Sequence, residues 1–456
     1  MIFNDLTFIF LFLPLTYFAF LLSTGALKKY TLILFSFVFY GVAGVEHLFV
    51  LFASVVWVSY FIDFGIARGK PSRLRVCVAV LFPTLALIYF KYTNFILSHF
   101  DLKEISSSPS DFDLFSNVIL PAGISFFTFQ LIGYCVDRRT KLSNSVTLSN
   151  LMLFISFFPQ LVAGPIARFS ELSNSIETLE TFRLTWFKFN EVIIYFTLGL
   201  FLKVLCADTL GRMLIDFKEA PMELGFSGLS FLTFGYSLQI YFDFFGYSLC
   251  AIGLGKLFGF ELPINFLNPY SALNPKDFWR RWHVSLSKFI RDYLYIPLGG
   301  NQNYARNLFF VFLLCGLWHG AGHSFLIWGF YHFLLVFLYN SIRTYWDKQN
   351  RLLQVATNFC LVSIGWLLFV FPIGEFLLAF GSLELGGTGM LPTLNKVLLL
   401  LVFGMFAFVF KIENVCKFIL SQNKISGAIS GACLGVIFFI CLFLMADSTT
   451  FIYFRF

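Results

Sequence analysis

Apolar residues run along this chain in blocks, separated by short polar stretches. The blocks lie near 8–24, 30–44, 47–66, 74–97, 115–136, 147–166, 184–205, 226–248, 306–320, 323–341, 353–374, 392–411 and 426–447. A helix needs about 20 apolar residues to cross the hydrocarbon core, so the pattern predicts roughly eleven to thirteen membrane segments. None of the blocks alternates with period two, which favours helices over a transmembrane barrel. Some blocks are short or hold Gly and Pro, notably "FPQLVAGPIARF" (158–169) and "LLCGLWHGAGHSF" (313–325). These are expected to be broken or re-entrant, a form tolerated only inside protein or beside a water-filled cavity.

Polar positions gather most densely in "NPKDFWRRWHVSLSKFIRDYLYIPLGGN" (274–301). Asn274 can cap a helix, Pro275 suits its first position, and Asp277 sits in its first turn. Pro297, Gly299 and Gly300 end it. At roughly 100° per residue, Phe278, Trp279, Trp282, Leu286 and Phe289 share one half of the wheel. Lys276, Asp277, Arg280, Arg281, Lys288 and Arg291 share the other. The expectation is one amphipathic helix at the membrane interface or a cavity mouth. Its acids can pair at i,i+4, Asp277 with Arg281 and Asp292 with Lys288. His283 falls at the edge of the apolar half, where simple headgroup anchoring needs no histidine.

Composition removes the soluble alternative. Of 456 residues 58% are hydrophobic and 12% charged, against about 25% charged in a soluble domain. The reading is an all-α, polytopic integral membrane protein. The net charge of +7 calls for no nucleic acid. Basic loops holding Lys28 and Lys29, then Arg68, Lys70, Arg73 and Arg75, then Arg138, Arg139 and Lys141, alternate with the uncharged-to-acidic loops "GVAGVEH" and "HFDLKEISSSPSDFD". That alternation fits the positive-inside rule with the amino terminus outside. The first block lacks a basic flank and a cleavage site, so it reads as a retained span. The nine cysteines form no CxxC pair and read as small buried hydrophobes. With no repeat and no long polar stretch, residues 1–456 read as a single transmembrane domain. Within it, 274–301 is the interfacial part and 306–341 holds the histidine-bearing core segments.

Candidate chemistry then stands out against this background. His319 lies in an apolar block between Gly316 and Gly320, and an ionisable residue at membrane depth is a functional candidate. The plainer alternative is a neutral histidine bonding across helices. His319 and His323 stand at i,i+4 as zinc ligands do, but no glutamate intervenes and no third ligand is evident, so no metal is expected. His332 reads as a helix-packing or gate residue. Asp243, in "YFDFFGYS", must pair, protonate or face water, and an Arg of 274–301 is its expected partner in a structural role. Asp277 is likewise read as a structural polar residue. Glu191 raises the same question. Gln130, Gln160 and Pro165 are weak signals of a lined cavity.

Taken together, "NPYSALNPKDFWRRWHVSLSKFIRDYLYIPLGGN", "CGLWHGAG", "YFDFFGYS", "ISFFTFQ", "FFPQLVAGPI" and the final "FIYFRF" resemble the membrane-bound O-acyltransferase (MBOAT) family. The nearest match is its bacterial branch of the alginate O-acetyltransferase membrane subunit (AlgI) type. The resemblance implies a multi-span helical fold around a central funnel. It implies an essential histidine in W-H-G, here His319 beside Trp318, and a second important position in W-R-R-W-H, here His283. It further implies acetyl transfer across the bacterial inner membrane to polysaccharide, with a periplasmic or extracellular acetyltransferase partner of the SGNH-hydrolase-like kind. Phe245 and Leu249 depart from the usual Y-F-D-F-S-G-Y-S-D pattern, and Leu249 looks more like the branch that transfers D-alanine to teichoic acids. His323 and Phe333 depart from the patterns around W-H-G. On the resemblance, these departures fall at substrate-side positions.

On this reading no cofactor is bound, and the acyl donor is acetyl-CoA or an acyl carrier protein thioester. Neutral in an apolar site, His319 would accept the proton of the attacking group, and His283 would orient the acceptor or stabilise the intermediate. Arg280, Arg281, Lys288 and Arg291, with Trp318, are the expected donor-binding residues. The rival of another class is a transporter or export channel without chemistry, for which inverted repeats would be expected. None is visible.

Overall fold

Among the described residues, each apolar block of the sequence contains helix. A computed structural model describes residues 1–64, 69–99, 118–142, 144–383, 389–421, 424–445 and 451–452. Arg68, the acidic loop from residue 100 to 113, and the last four residues of "FIYFRF" lie outside the described residues. The regular elements among the described residues are helices. Six are long and apolar enough to cross a membrane: Val45–Ile62, Arg73–Leu97, Trp186–Met213, His323–Trp346, Arg351–Val370 and Gly427–Leu444. Leu394–Val409 and Asn414–Leu420, bent by 77°, make a seventh if they form one span. Other predicted segments form shorter or interrupted helices. The 147–166 block breaks into Leu148–Ser156 and Phe158–Leu161, with Pro159 opening the second piece. There Gln160 donates its side-chain N–H to the Phe154 carbonyl, which satisfies a backbone group that the break frees.

The chain divides into two compact units. The first comprises Met1–Val192 and Ala251–Pro263. Its core is largely phenylalanine: Phe12 meets Phe158 edge-on at 5.4 Å, and Phe20 meets Phe258 at 5.3 Å. Such edge-to-face pairs align the positive rim of one ring with the negative face of the other. Asp63 is buried and bonds both Arg138 Nε at 2.9 Å and the Tyr134 hydroxyl at 2.5 Å. Arg138, which the sequence suggested as a loop cation, is therefore an internal partner with no exposed surface. Glu191 pairs with Lys256 at 3.3 Å.

The second unit comprises Ile193–Cys250 and Ile264–Phe456, and His283, His319, Trp318, Asp243, Asp277 and the basic residues of 274–301 belong to it. Its centre is the hairpin of Tyr304–His319 and His323–Trp346. Segment 313–325 is thus the end of one helix, a tight turn and the start of the next, which resolves the expected break as a hairpin. Gly316 and Gly329 make the crossing possible. A Cβ on Gly316 would run into the Phe325 carbonyl, and one on Gly329 into the Phe312 carbonyl.

Candidate active site

Stretch 274–301 is where the structure most changes the sequence picture. The helix starts as expected: Asn274 accepts the Asp277 N–H at 2.8 Å, and Pro275 opens the first turn. Arg281 pairs with Asp277 at 2.9 Å. The single amphipathic helix does not form. Helix Pro275–Arg281 stops, Trp282 is extended, and a second helix runs from Val284 to Ile290 before a π-helical turn at Arg291–Tyr295. The break is at His283, whose backbone is left-handed, with φ 43° and ψ 55°. That conformation costs a non-glycine residue about 1–2 kcal/mol, and it persists where neighbours hold it in place.

Asn265 is that neighbour, and sequence reading passed over it. Its carbonyl oxygen Oδ1 lies 3.0 Å from His283 Nδ1 and accepts the Ser285 hydroxyl at 2.9 Å and N–H at 3.3 Å. The Asn265 backbone carbonyl accepts the Val284 N–H at 2.9 Å. An oxygen that only accepts requires Nδ1 to carry the proton, so Nε2 keeps its lone pair. Among the described residues, no hydrogen-bond partner meets Nε2. His283 is fully buried, and burial pushes its pKa down to about 3. A neutral imidazole with one nitrogen anchored and the other available is the arrangement of a base or an acceptor-orienting group. A polar side chain in the apolar run "FELPINFLNP" was the signal that could have marked Asn265.

His319 closes the Tyr304–His319 helix and is buried, with 4% of its surface exposed. Trp318 contacts both histidines, its ring 4.8 Å from His319 and 6.0 Å from His283. Trp328 and Phe369 complete the His319 surroundings at 5.1 and 5.4 Å. His323 begins the next helix and is exposed, so the shared helical face assumed for His319 and His323 does not exist. His332 is fully buried, with Trp328 at 4.8 Å and Trp279 at 5.1 Å, in a packing position.

A cleft of about 430 Å³ opens within this unit. Lys276, Arg280, Lys288 and Arg291 lie around it, and Trp279, Phe312 and Cys315 are among its apolar lining. Cys315 precedes His319 by one turn of the same helix. The cleft gathers three of the expected donor-binding residues, Arg280, Lys288 and Arg291. Arg281 is turned instead towards Asp277 and Ser271, and Trp318 packs against both histidines. Asp292 bonds Arg291 at 2.7 Å. Asp243 does not pair with an arginine of this region: its partner is Lys203, at 2.7 Å. The pairing has a local cause, since Lys203 sits in the π-helical turn Phe201–Ala207 and is itself buried.

Comparison with known proteins adds an independent line. The sequence model of the membrane-bound O-acyltransferase family matches residues 80–382. A peptidoglycan O-acetyltransferase of Helicobacter pylori is 35% identical over 410 residues, covering 81% of this chain and 77% of that protein. A probable alginate O-acetylase of Pseudomonas putida is 37% identical over 384 residues, covering 81% of this chain and 77% of that protein. A teichoic acid D-alanyltransferase of Bacillus subtilis is 29% identical over 279 residues, covering 56% and 69%.

Proposed function

This chain belongs to the membrane-bound O-acyltransferase family, and from that premise we propose that it passes acetyl groups inward-to-outward across a bacterial inner membrane for O-acetylation of a cell-envelope or extracellular polysaccharide. It is a multi-pass membrane acyltransferase. The donor is a cytoplasmic thioester, acetyl-CoA or an acyl carrier protein, whose anionic carrier is drawn to the cleft with Arg280, Lys288 and Arg291. A hydrophobic floor suits the carrier's thioester arm and excludes water from it.

The observation that carries this reading is the contact of Trp318 with two buried histidines, of which His319 lies one turn from Cys315 in the lining of a basic cleft. His319 takes the proton of the acceptor hydroxyl as its oxygen attacks the thioester carbonyl. Collapse of the tetrahedral intermediate breaks the carbon–sulfur bond, and the proton returns to the thiolate leaving group. His283 Nε2 orients the acceptor. An SGNH-hydrolase-like partner outside the membrane would complete delivery to the polysaccharide, and surrounding lipid is the other partner. The test is His319→Ala in proteoliposomes with labelled acetyl donor. Loss of transfer by about 10²–10⁴-fold at unchanged protein level is expected; full activity would end the base assignment.

The second reading is D-alanyl transfer, favoured by Leu249 and by the Bacillus subtilis relative. Offering D-alanyl and acetyl thioesters in competition decides between the two.

A further inference from the structure

Asp243 lies on the Gly225–Leu257 helix among Phe and Tyr side chains and is 1% exposed. Its two oxygens hold two different parts of the chain. Oδ1 meets the Lys203 ammonium at 2.7 Å, and the same ammonium reaches Asp208 at 2.8 Å. Oδ2 accepts the backbone N–H of Ile452 at 2.7 Å. Hydrogen bonds to an ionised group are roughly twice as strong as neutral ones, and in a buried site no water competes for them. Phe451 then stacks on Tyr247 at 4.8 Å and meets Phe244 at 5.9 Å. Phe244 stands at 90° to the His283 ring with centroids 4.7 Å apart. Asp243, Phe244 and Tyr247 share about one turn of one helix. The carboxylate, the segment at Phe451–Ile452 and His283 are therefore joined by consecutive contacts.

We infer that the Asp243 carboxylate is a clasp: it grips the Ile452 N–H, seats Phe451 over Tyr247 and Phe244, and so fixes the aromatic wall that orients His283. Asp243 and Lys203 are positioning residues that touch no reacting atom. A buried ion pair does not justify itself by stability, since a well-packed apolar pair of the same volume is often as stable. What the charge supplies here is a specific acceptor for one backbone N–H. The inference rests on the acyl-transfer reading only for its kinetic consequence.

Hydrogen–deuterium exchange on the full protein in lipid nanodiscs reads the Ile452 amide directly, and labelled acetyl transfer reads the consequence. In Asp243→Asn, exchange at Ile452 should rise and kcat should fall, each by about tenfold, the equivalent of one net hydrogen bond, with the donor KM unchanged. In Phe451→Leu, which leaves the ion pair intact, Ile452 should stay protected while kcat falls. Equal Ile452 exchange in wild type and Asp243→Asn overturns the clasp. Lost protection with unaltered kcat, or full kcat in Phe451→Leu, overturns its link to His283. If Asp243→Asn does not fold, Phe451→Leu still decides the link to His283, and an unprotected Ile452 amide in the wild type overturns the clasp. A wild type without transfer activity would sink the acyl-transfer reading while leaving the exchange result to judge the clasp.

Discussion

His283 is a histidine held in a left-handed backbone by an asparagine, and on the proposed function its role depends on that hydrogen bond. Asn265 fixes both the tautomer and the ring plane of His283. Replacing Asn265 with Ala should therefore lower acetyl transfer by about 10–100-fold, the range seen when an orienting partner of a functional histidine is lost. Thermal unfolding of the purified variant would confirm that the fold survives. The buried ring also makes stability depend on pH. Unfolded, His283 titrates near 6.5; folded, near 3. As pH falls below about 6.5 the unfolded chain takes up the proton first, so the stability contribution is fully present above that pH. It is lost progressively towards pH 3, by at most about 1.4 kcal/mol per pH unit. Unfolding measured from pH 7.5 to 4.5 should show this slope in wild type and a shallower one in His283→Gln. The pH–rate profile should show no inflection from His283 between pH 5 and 8.

Helices bring these residues together through two devices, a break and a close crossing. The break at His283 turns a predicted single amphipathic helix into two short ones, so Arg280, Lys288 and Arg291 surround a cleft while Phe278, Trp282 and Leu286 stay buried. Reversing charge at Lys288 and Arg291 should raise the donor KM about tenfold and flatten its dependence on ionic strength, as expected when steering charges are removed. Unchanged donor kinetics would remove the cleft from the donor path. The crossing depends on Gly316 and Gly329. Gly316→Ala places a methyl group against the Phe325 carbonyl and should destabilise the hairpin by about 1–3 kcal/mol, the usual cost of overpacking. Because His319 ends the same helix, transfer should fall with it. Calorimetry and the transfer assay on one preparation would separate a shifted Tm from a lost rate.

For the whole molecule, the separation is between chemistry and passage. An acyltransferase moves label from donor to acceptor in sealed proteoliposomes containing this chain alone or with its partner; a channel moves intact donor and leaves it intact. The family match predicts the first outcome. Orientation is a property of the same scale. Arg138 is engaged internally by Asp63, so one of the cations that suggested an outside amino terminus carries no loop charge. By the positive-inside rule the remaining early basic residues, Lys28, Lys29 and Lys70 among them, are expected to put their loops on the cytoplasmic side. Protease access to a tag at residue 1 in intact cells checks it.

Sequence by itself determined that the chain lives in lipid and is helical, because a hydropathic block is a local property that no distant residue can reverse. It also marked His319, His283 and the basic run, since charge and imidazole in such a background are visible without a fold. It could not supply Asn265 as the orienter of His283, Lys203 as the partner of Asp243, or Ile452 as that carboxylate's second ligand. Asn265 and His283 are separated by a loop and a helix, while Asp243 and Ile452 are joined by a contact spanning almost half the chain. Such pairings are decided by which helix faces which, and by one strained dihedral at His283. Only tertiary packing sets those, because periodicity describes how a segment presents its faces and not what fills the space opposite.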